Sequence, residues 1–188
     1  MTTLTNATNS NLNADKPNNT SLSLKQRLAM RDKQPVLLLD TSYSMTEDCE
    51  PGCSRITALR NIVANLTTSP KIYWFNDTCG PCLRDAIPTP CGGTWLHRAL
   101  EVMLDKKINN ILLLTDGEAQ DKERVLSLLA THPELKIQVM YIGPGDTPEF
   151  LNKVATGGMA TKENIADQQL LTDKLTLLLD SGSSSIQL

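Results

Sequence analysis

Five oxygen-bearing side chains, spread over three short segments, have the types and placement to hold a hard divalent cation. Asp40, Ser42 and Ser44 follow the apolar run Pro35-Val36-Leu37-Leu38-Leu39. Thr94 follows Gly92-Gly93 and opens a helical pattern, and Asp116 follows Ile111-Leu112-Leu113-Leu114. Two carboxylates therefore stand at the ends of two apolar runs that read as buried strands, with three hydroxyls beside them. A donor set of carboxylates and hydroxyls, without imidazole or thiolate, suits Mg²⁺ or Mn²⁺. Asp and Ser after a strand are also ordinary turn and capping residues. The metal reading rests on three pieces in order, each at the edge of an element, and not on any one of them.

The cysteines offer a second chemistry. They fall as Cys49-x3-Cys53, Cys79-x2-Cys82 and Cys91, all between the first apolar run and Thr94. Loops after parallel strands leave a sheet at the same end. The spacing thus admits a structural zinc held by Cys49, Cys53, Cys79 and Cys82, with Cys91 able to replace one. Buried reduced thiols compete with that reading. Disulfides rank behind both, because the sequence opens with no secretory signal. Cys79-Gly80-Pro81-Cys82 also spells the active-site tetrapeptide of thioredoxins, which makes a thiol oxidoreductase a rival function. That chemistry needs a helix N-terminus to lower the first thiol's pKa, and Leu83-Arg84-Asp85-Ala86 offers no long helix.

Metal-dependent hydrolysis at Asp40 and Asp116 is a further rival, yet no general base with an obvious role accompanies the two carboxylates and no glycine-rich phosphate loop precedes a helix. Only two histidines are present. His97 lies one turn into the Thr94 helix, where a packing or surface role outweighs a role at the site, and His132 sits at a helix end, where a cation is stabilising. The expectation is a chain that is not an enzyme. Tyr43 and Trp95 each adjoin a proposed ligand and are candidate partner contacts, since aromatic residues beside a polar anchor are typical of binding hot spots. For Trp95, packing in the first turn of its helix is the equal alternative.

The elements that must position these residues alternate in type. Extended runs are predicted at 35–40, 71–75, 110–115 and 136–142, with a short one near Met159 and Ala160. Helical faces are predicted from Ser54 (Ile56, Leu59, Ile62, Val63, Leu66), from Thr94 (Leu96, Ala99, Leu100, Met103), from Asp121 as a cap (Val125, Leu128, Leu129), after Thr147-Pro148 (Phe150, Leu151, Val154), and over 167–180. Residues 76–93 read as an irregular Cys- and Pro-containing stretch. Apolar strands joined by helical crossovers imply a doubly wound, mainly parallel α/β sheet with helices on both faces. In such sheets ligands bind beyond the carboxyl ends of the strands, where strand order reverses.

Asp-Thr-Ser-Tyr-Ser over 40–44, Gly-Gly-Thr over 92–94 and Thr-Asp-Gly-Glu over 115–118 together resemble the metal-ion-dependent adhesion site (MIDAS) of von Willebrand factor A domains, with all five donors in the family's order. The resemblance covers roughly residues 34–180. It implies a Rossmann-like fold, direct coordination by Ser42 and Ser44, and Thr94, Asp40 and Asp116 bound directly or through water. It also implies a partner protein whose Asp or Glu completes the metal shell. Service in a larger assembly, with an AAA-type ATPase or as a structural or scaffold component such as part of a virus particle, is compatible with it.

The chain as a whole sets the remaining bounds. Its 188 residues suit one domain with a full core, and a net charge of −3 without a basic cluster argues against a nucleic-acid surface. No run approaches the roughly 20 apolar residues of a membrane helix, so no membrane partner is expected and a cytoplasmic or virion setting is. Residues 1–21 are rich in Asn, Thr and Ser and read as a disordered arm. Leu22 to Asp32 reads as a lead-in helix at the start of a domain spanning 22–180, and 181–188 as a loose tail.

Overall fold

The computed structural model describes residues 34–117, 119–156 and 158–181. The arm, the lead-in helix and the last seven residues of the tail lie outside the described residues.

Six strands form one sheet in the order β5-β4-β1-β6-β7-β8, where β1 is Val36–Asp40, β4 Ile72–Phe75, β5 Cys79–Cys82, β6 Asn110–Thr115, β7 Lys136–Tyr141 and β8 Thr161–Lys162. A small hairpin of β2 (Asp48–Glu50) and β3 (Cys53–Ser54) stands apart from it. All neighbours in the main sheet are parallel except β4 and β5. Among the described residues the helices are α1 (Arg55–Ala64), α2 (Leu96–Asp105), α3 (Lys122–Thr131), α4 (Glu149–Val154) and α5 (Gln168–Ser181), and a 3₁₀ turn spans Tyr43–Thr46.

The apolar strands divide their side chains between two cores by strict alternation. Val36, Leu38, Ile111, Leu113, Ile137 and Val139 face one side, with Leu96, Leu100 and Met103 of α2, Val125 of α3 and Phe150 and Leu151 of α4. Leu37, Leu39, Leu112, Leu114 and Met140 face the other, with Ile56, Leu59, Ile62 and Val63 of α1 and Leu171, Leu175 and Leu179 of α5. A period of two along each strand sends neighbours to opposite faces, which is why continuous apolar runs are needed when helices cover both. Each fully buried leucine contributes about 1.5–3 kcal/mol by leaving water.

Several expectations shift. The stretch after β4 is not irregular at its start: Cys79-Gly80-Pro81-Cys82 is an antiparallel edge strand paired to Ile72–Phe75. Pro81 is tolerated there because an edge strand has one row of donors without a strand partner. The last strand falls at Thr161–Lys162, just beyond Met159 and Ala160. The Thr94 helix begins at Leu96, and Pro148 stands at the cap position of α4 in place of Thr147.

Candidate metal centre

The strand order places β1 between β4 and β6, so the chain runs outward in opposite directions from the β1–β6 seam. Asp40 ends β1 and Asp116 follows the last residue of β6. The two carboxylates meet over the point where a crevice opens in such sheets.

Four of the five predicted donors form one hydrogen-bonded cluster. Asp40 Oδ1 accepts from the Ser42 amide at 2.8 Å, and Asp40 Oδ2 accepts from the Thr115 hydroxyl at 2.6 Å. The Ser42 and Ser44 hydroxyls lie 3.1 Å apart, and Ser44 Oγ donates to Asp116 Oδ1 at 2.7 Å. The 3₁₀ turn right after Ser42 coils the chain so that Ser42 and Ser44 point the same way. The loop that leads into Thr94 is tied to the same segment through its backbone: the Tyr43 amide donates to the Gly92 carbonyl at 3.1 Å, and the Cys91 amide to the Thr41 carbonyl at 3.0 Å. Gly92 permits this approach because it sits at φ 69°, where a side chain is strained. Gly143, after β7, packs so closely that a Cβ there would stand 2.2 Å from the Asp116 carbonyl oxygen.

Asp40, Ser42 and Asp116 are buried, and Thr94 nearly so. Burial, reinforced by the like charge of Asp116, pushes the Asp40 carboxyl up to about 6. Two carboxylates sunk at one strand end, with hydroxyls turned toward each other, make a neighbourhood that gains from a dication. The donor chemistry, carboxylates and hydroxyls without imidazole or thiolate, fits Mg²⁺ or Mn²⁺.

A residue that sequence reasoning missed completes the cluster. Arg55, the first residue of α1, is buried; its Nη1 donates to Asp116 Oδ2 at 2.8 Å and to the Ser44 carbonyl at 3.1 Å. Its Nη2 pairs with Glu47 at 2.9 Å. The available signal was its position next to the Ser54 cap, which accepts from the Thr57 amide.

The zinc expectation is corrected. Cys79 packs against the α2 side of the sheet, whereas Cys82, Cys49 and Cys53 pack on the α1 side. Residues three apart on a strand point to opposite faces, so Cys79 and Cys82 cannot share an ion. Among the described residues no group of three or more His, Cys, Asp or Glu is arranged to hold a metal, and the five cysteines are free. The loop after β5 is held instead by Arg60, which donates to the Ile87 and Pro88 carbonyls, and by Arg84, which donates to the Leu66 carbonyl.

The aromatic and histidine candidates separate. Tyr43 is 70 % exposed at the rim. Trp95 is half-buried and stacked under the Arg98 guanidinium, 4.7 Å from its ring centre. His97 pairs with Glu101 on the flank of α2, and His132 with Glu134 after α3. Asp121 stands at the start of α3 but caps a different helix: its Oδ2 accepts from the His97 amide in the first turn of α2.

No protein-family model matches the sequence and no curated protein is recognisably similar. Solved structures do match. Proximal thread matrix protein 1 from the mussel byssus is 18% identical with a TM-score of 0.55, over 78% of this chain and 46% of that one. The same protein with zinc in its MIDAS motif matches at 17% and 0.53. An aerotolerance-related membrane protein from Bacteroides fragilis matches at 13% identity and 0.52, over 78% of this chain and 98% of that one. This chain thus spans about half the length of the mussel protein. No helix among the described residues is long and apolar enough to cross a membrane. A mainly parallel six-stranded sheet in this order, covered on both faces and shared with a protein that carries a MIDAS, is the von Willebrand factor A fold.

Proposed function

We propose that this chain is a metal-dependent protein-interaction module in which Asp40, Ser42, Ser44, Thr94 and Asp116 hold Mg²⁺ or Mn²⁺ and an Asp or Glu of a partner protein completes the shell. The observation that carries the reading is the single hydrogen-bonded cluster of Asp40, Ser42, Ser44 and Asp116 at the β1–β6 switch point. When bound, the ion supplies a positive centre with an open position for an anionic oxygen. The chain's own residues set the rest. Ser42 and Ser44 offer neutral oxygens, so little negative charge is spent on the ion. Thr115 and the Ser42 amide hold the Asp40 carboxylate in place. Exposed Tyr43 forms a rim on which a partner can rest.

The reading involves no catalytic step. Thiol oxidoreduction is disfavoured, because burial pushes the Cys79 thiol up to about 11, the reverse of an activated nucleophile. The thread matrix protein and a minor pilin from Streptococcus sanguinis, which matches with a TM-score of 0.53 at 12% identity, are by name components of larger structures. Membership of an assembly is part of the same proposal.

The test is the double variant Asp40→Ala with Ser42→Ala. Partner capture that requires Mg²⁺, is lost in EDTA and is lost in the variant while the fold persists is the expected result. Capture indifferent to both chelation and substitution rejects the reading.

A further inference from the structure

We propose that Arg55 is a specificity-determining residue of the metal centre: its resident positive charge beside Asp116 weakens binding of the metal alone and couples it to binding of a carboxylate ligand. The inference rests on the metal-dependent reading above and adds a residue that the five-donor pattern does not contain.

The geometry leaves Arg55 little freedom. Its amide donates to the Glu47 carbonyl at 2.9 Å, and its guanidinium is held by Asp116, the Ser44 carbonyl and Glu47. Asp116 has both oxygens engaged, Oδ1 by Ser44 and Oδ2 by Arg55. Within the buried cluster the formal charges are then −1 for Asp40, −1 for Asp116 and +1 for Arg55. A dication entering two bare carboxylates would reach neutrality. Here it leaves the centre at +1, and that excess is what a carboxylate from a partner neutralises. Glu47 offsets Arg55 only weakly, because its side chain is 62% exposed and solvent screens it.

Arg55 is not sealed in: it lines a cavity of about 470 Å³ with Asp48, Cys49, Gly143, Pro144 and Lys162, open beside the carboxyl ends of β7 and β8. A buried ion pair with no functional role would tie α1 to the end of β6 equally well, so the test must read metal and carboxylate binding and not stability alone.

Mn²⁺ binding to the full chain is measured by loss of the free-ion electron paramagnetic resonance signal, with excess acetate or with chloride at equal ionic strength. The wild type is expected to bind Mn²⁺ more tightly in acetate. Arg55→Gln removes the charge and is expected to bind Mn²⁺ about tenfold or more tightly in chloride, a charge effect at close range in a partly desolvated site, and to lose most of the acetate enhancement. Arg55→Lys keeps the charge and is expected to keep the enhancement. Glu47→Gln, a change at an exposed side chain, is expected to move the balance the other way and by less than Arg55→Gln: slightly weaker Mn²⁺ binding in chloride and a slightly larger enhancement. If wild type binds Mn²⁺ and neither Arg55→Gln nor Glu47→Gln alters affinity or enhancement, the Arg55 inference is overturned while the metal reading stands. If wild type and variants alike take up no Mn²⁺, both fall.

Discussion

Asp40 is the residue whose environment says most about the state of the site. Its carboxyl is pushed up to about 6 from 3.8 because it is buried beside Asp116, in spite of hydrogen bonds from Ser42 and Thr115 that act the other way. The folded chain therefore holds this proton more tightly than the unfolded one. For an acid raised in this way, the stabilising contribution is full below the unfolded value, near pH 4, and is lost as pH rises through about 6. Over that window the metal-free protein is expected to lose up to about 3 kcal/mol through this residue. A divalent ion bound as proposed would displace the same proton. The gap in melting temperature between Mg²⁺ and EDTA should accordingly widen from about pH 5 to about pH 7, and a gap constant with pH would show that Asp40 does not titrate as described. Gly143 carries a separate constraint, since any side chain there meets the carbonyl of Asp116. Gly143→Ala should shift that loop, cost about 1–3 kcal/mol as overpacking does, and lower divalent affinity; an unchanged melt and affinity would contradict it.

At the scale of elements, pairing decided the fate of the cysteines. The tetrapeptide Cys79–Cys82 has no helix behind it and lies flat against β4, with Trp74 opposite Gly80 and Phe75 opposite Cys79. This sets the two thiols on opposite faces, each raised by burial. Cys91, by contrast, is exposed. Alkylation at about pH 8 is expected to modify Cys91 first and Cys79 slowest, by a factor of about a hundred in thiolate population for a thiol two units above its ordinary value. Mild oxidation should yield no Cys79–Cys82 disulfide by peptide mapping. Recovery of that disulfide in folded protein would mean that β5 peels from the sheet. The β2–β3 hairpin has the complementary role. It follows the 3₁₀ turn, carries Cys49 and Cys53, and delivers the Ser54 cap and Arg55 to the mouth of the site.

For the whole molecule, the site is a junction between layers. Asp40 and Asp116 belong to adjacent central strands, Arg55 to a helix on one face, and Thr94 to the loop that enters α2 on the other. An ion that binds only this assembled arrangement stabilises the entire fold by mass action. At about a hundredfold excess over its dissociation constant the melting temperature should rise by roughly 5–10 °C. The same addition to the Asp40→Ala, Ser42→Ala protein should leave it unchanged. Much of this architecture was legible in the chain. The apolar runs at Val36–Leu39 and Ile111–Leu114 have no polar position to turn toward water, so they can only be central strands covered twice. The oxygen donors just past them fall at carboxyl ends by the direction of the chain alone. Arg55 was not legible, because an arginine at a helix start is ordinary until folding shows which carboxylate it meets 61 residues away. Nor were the faces of Cys79 and Cys82, which depend on β5 being a strand, and a Gly-Pro pair in sequence argues against one. Local periodicity is written in neighbouring residues and sets the elements, their order and the ends from which Asp40 and Asp116 emerge. Which side chains meet across the seam, and whether a buried charge finds a partner or a cation, depends on contacts between distant segments, and only the tertiary structure decides those.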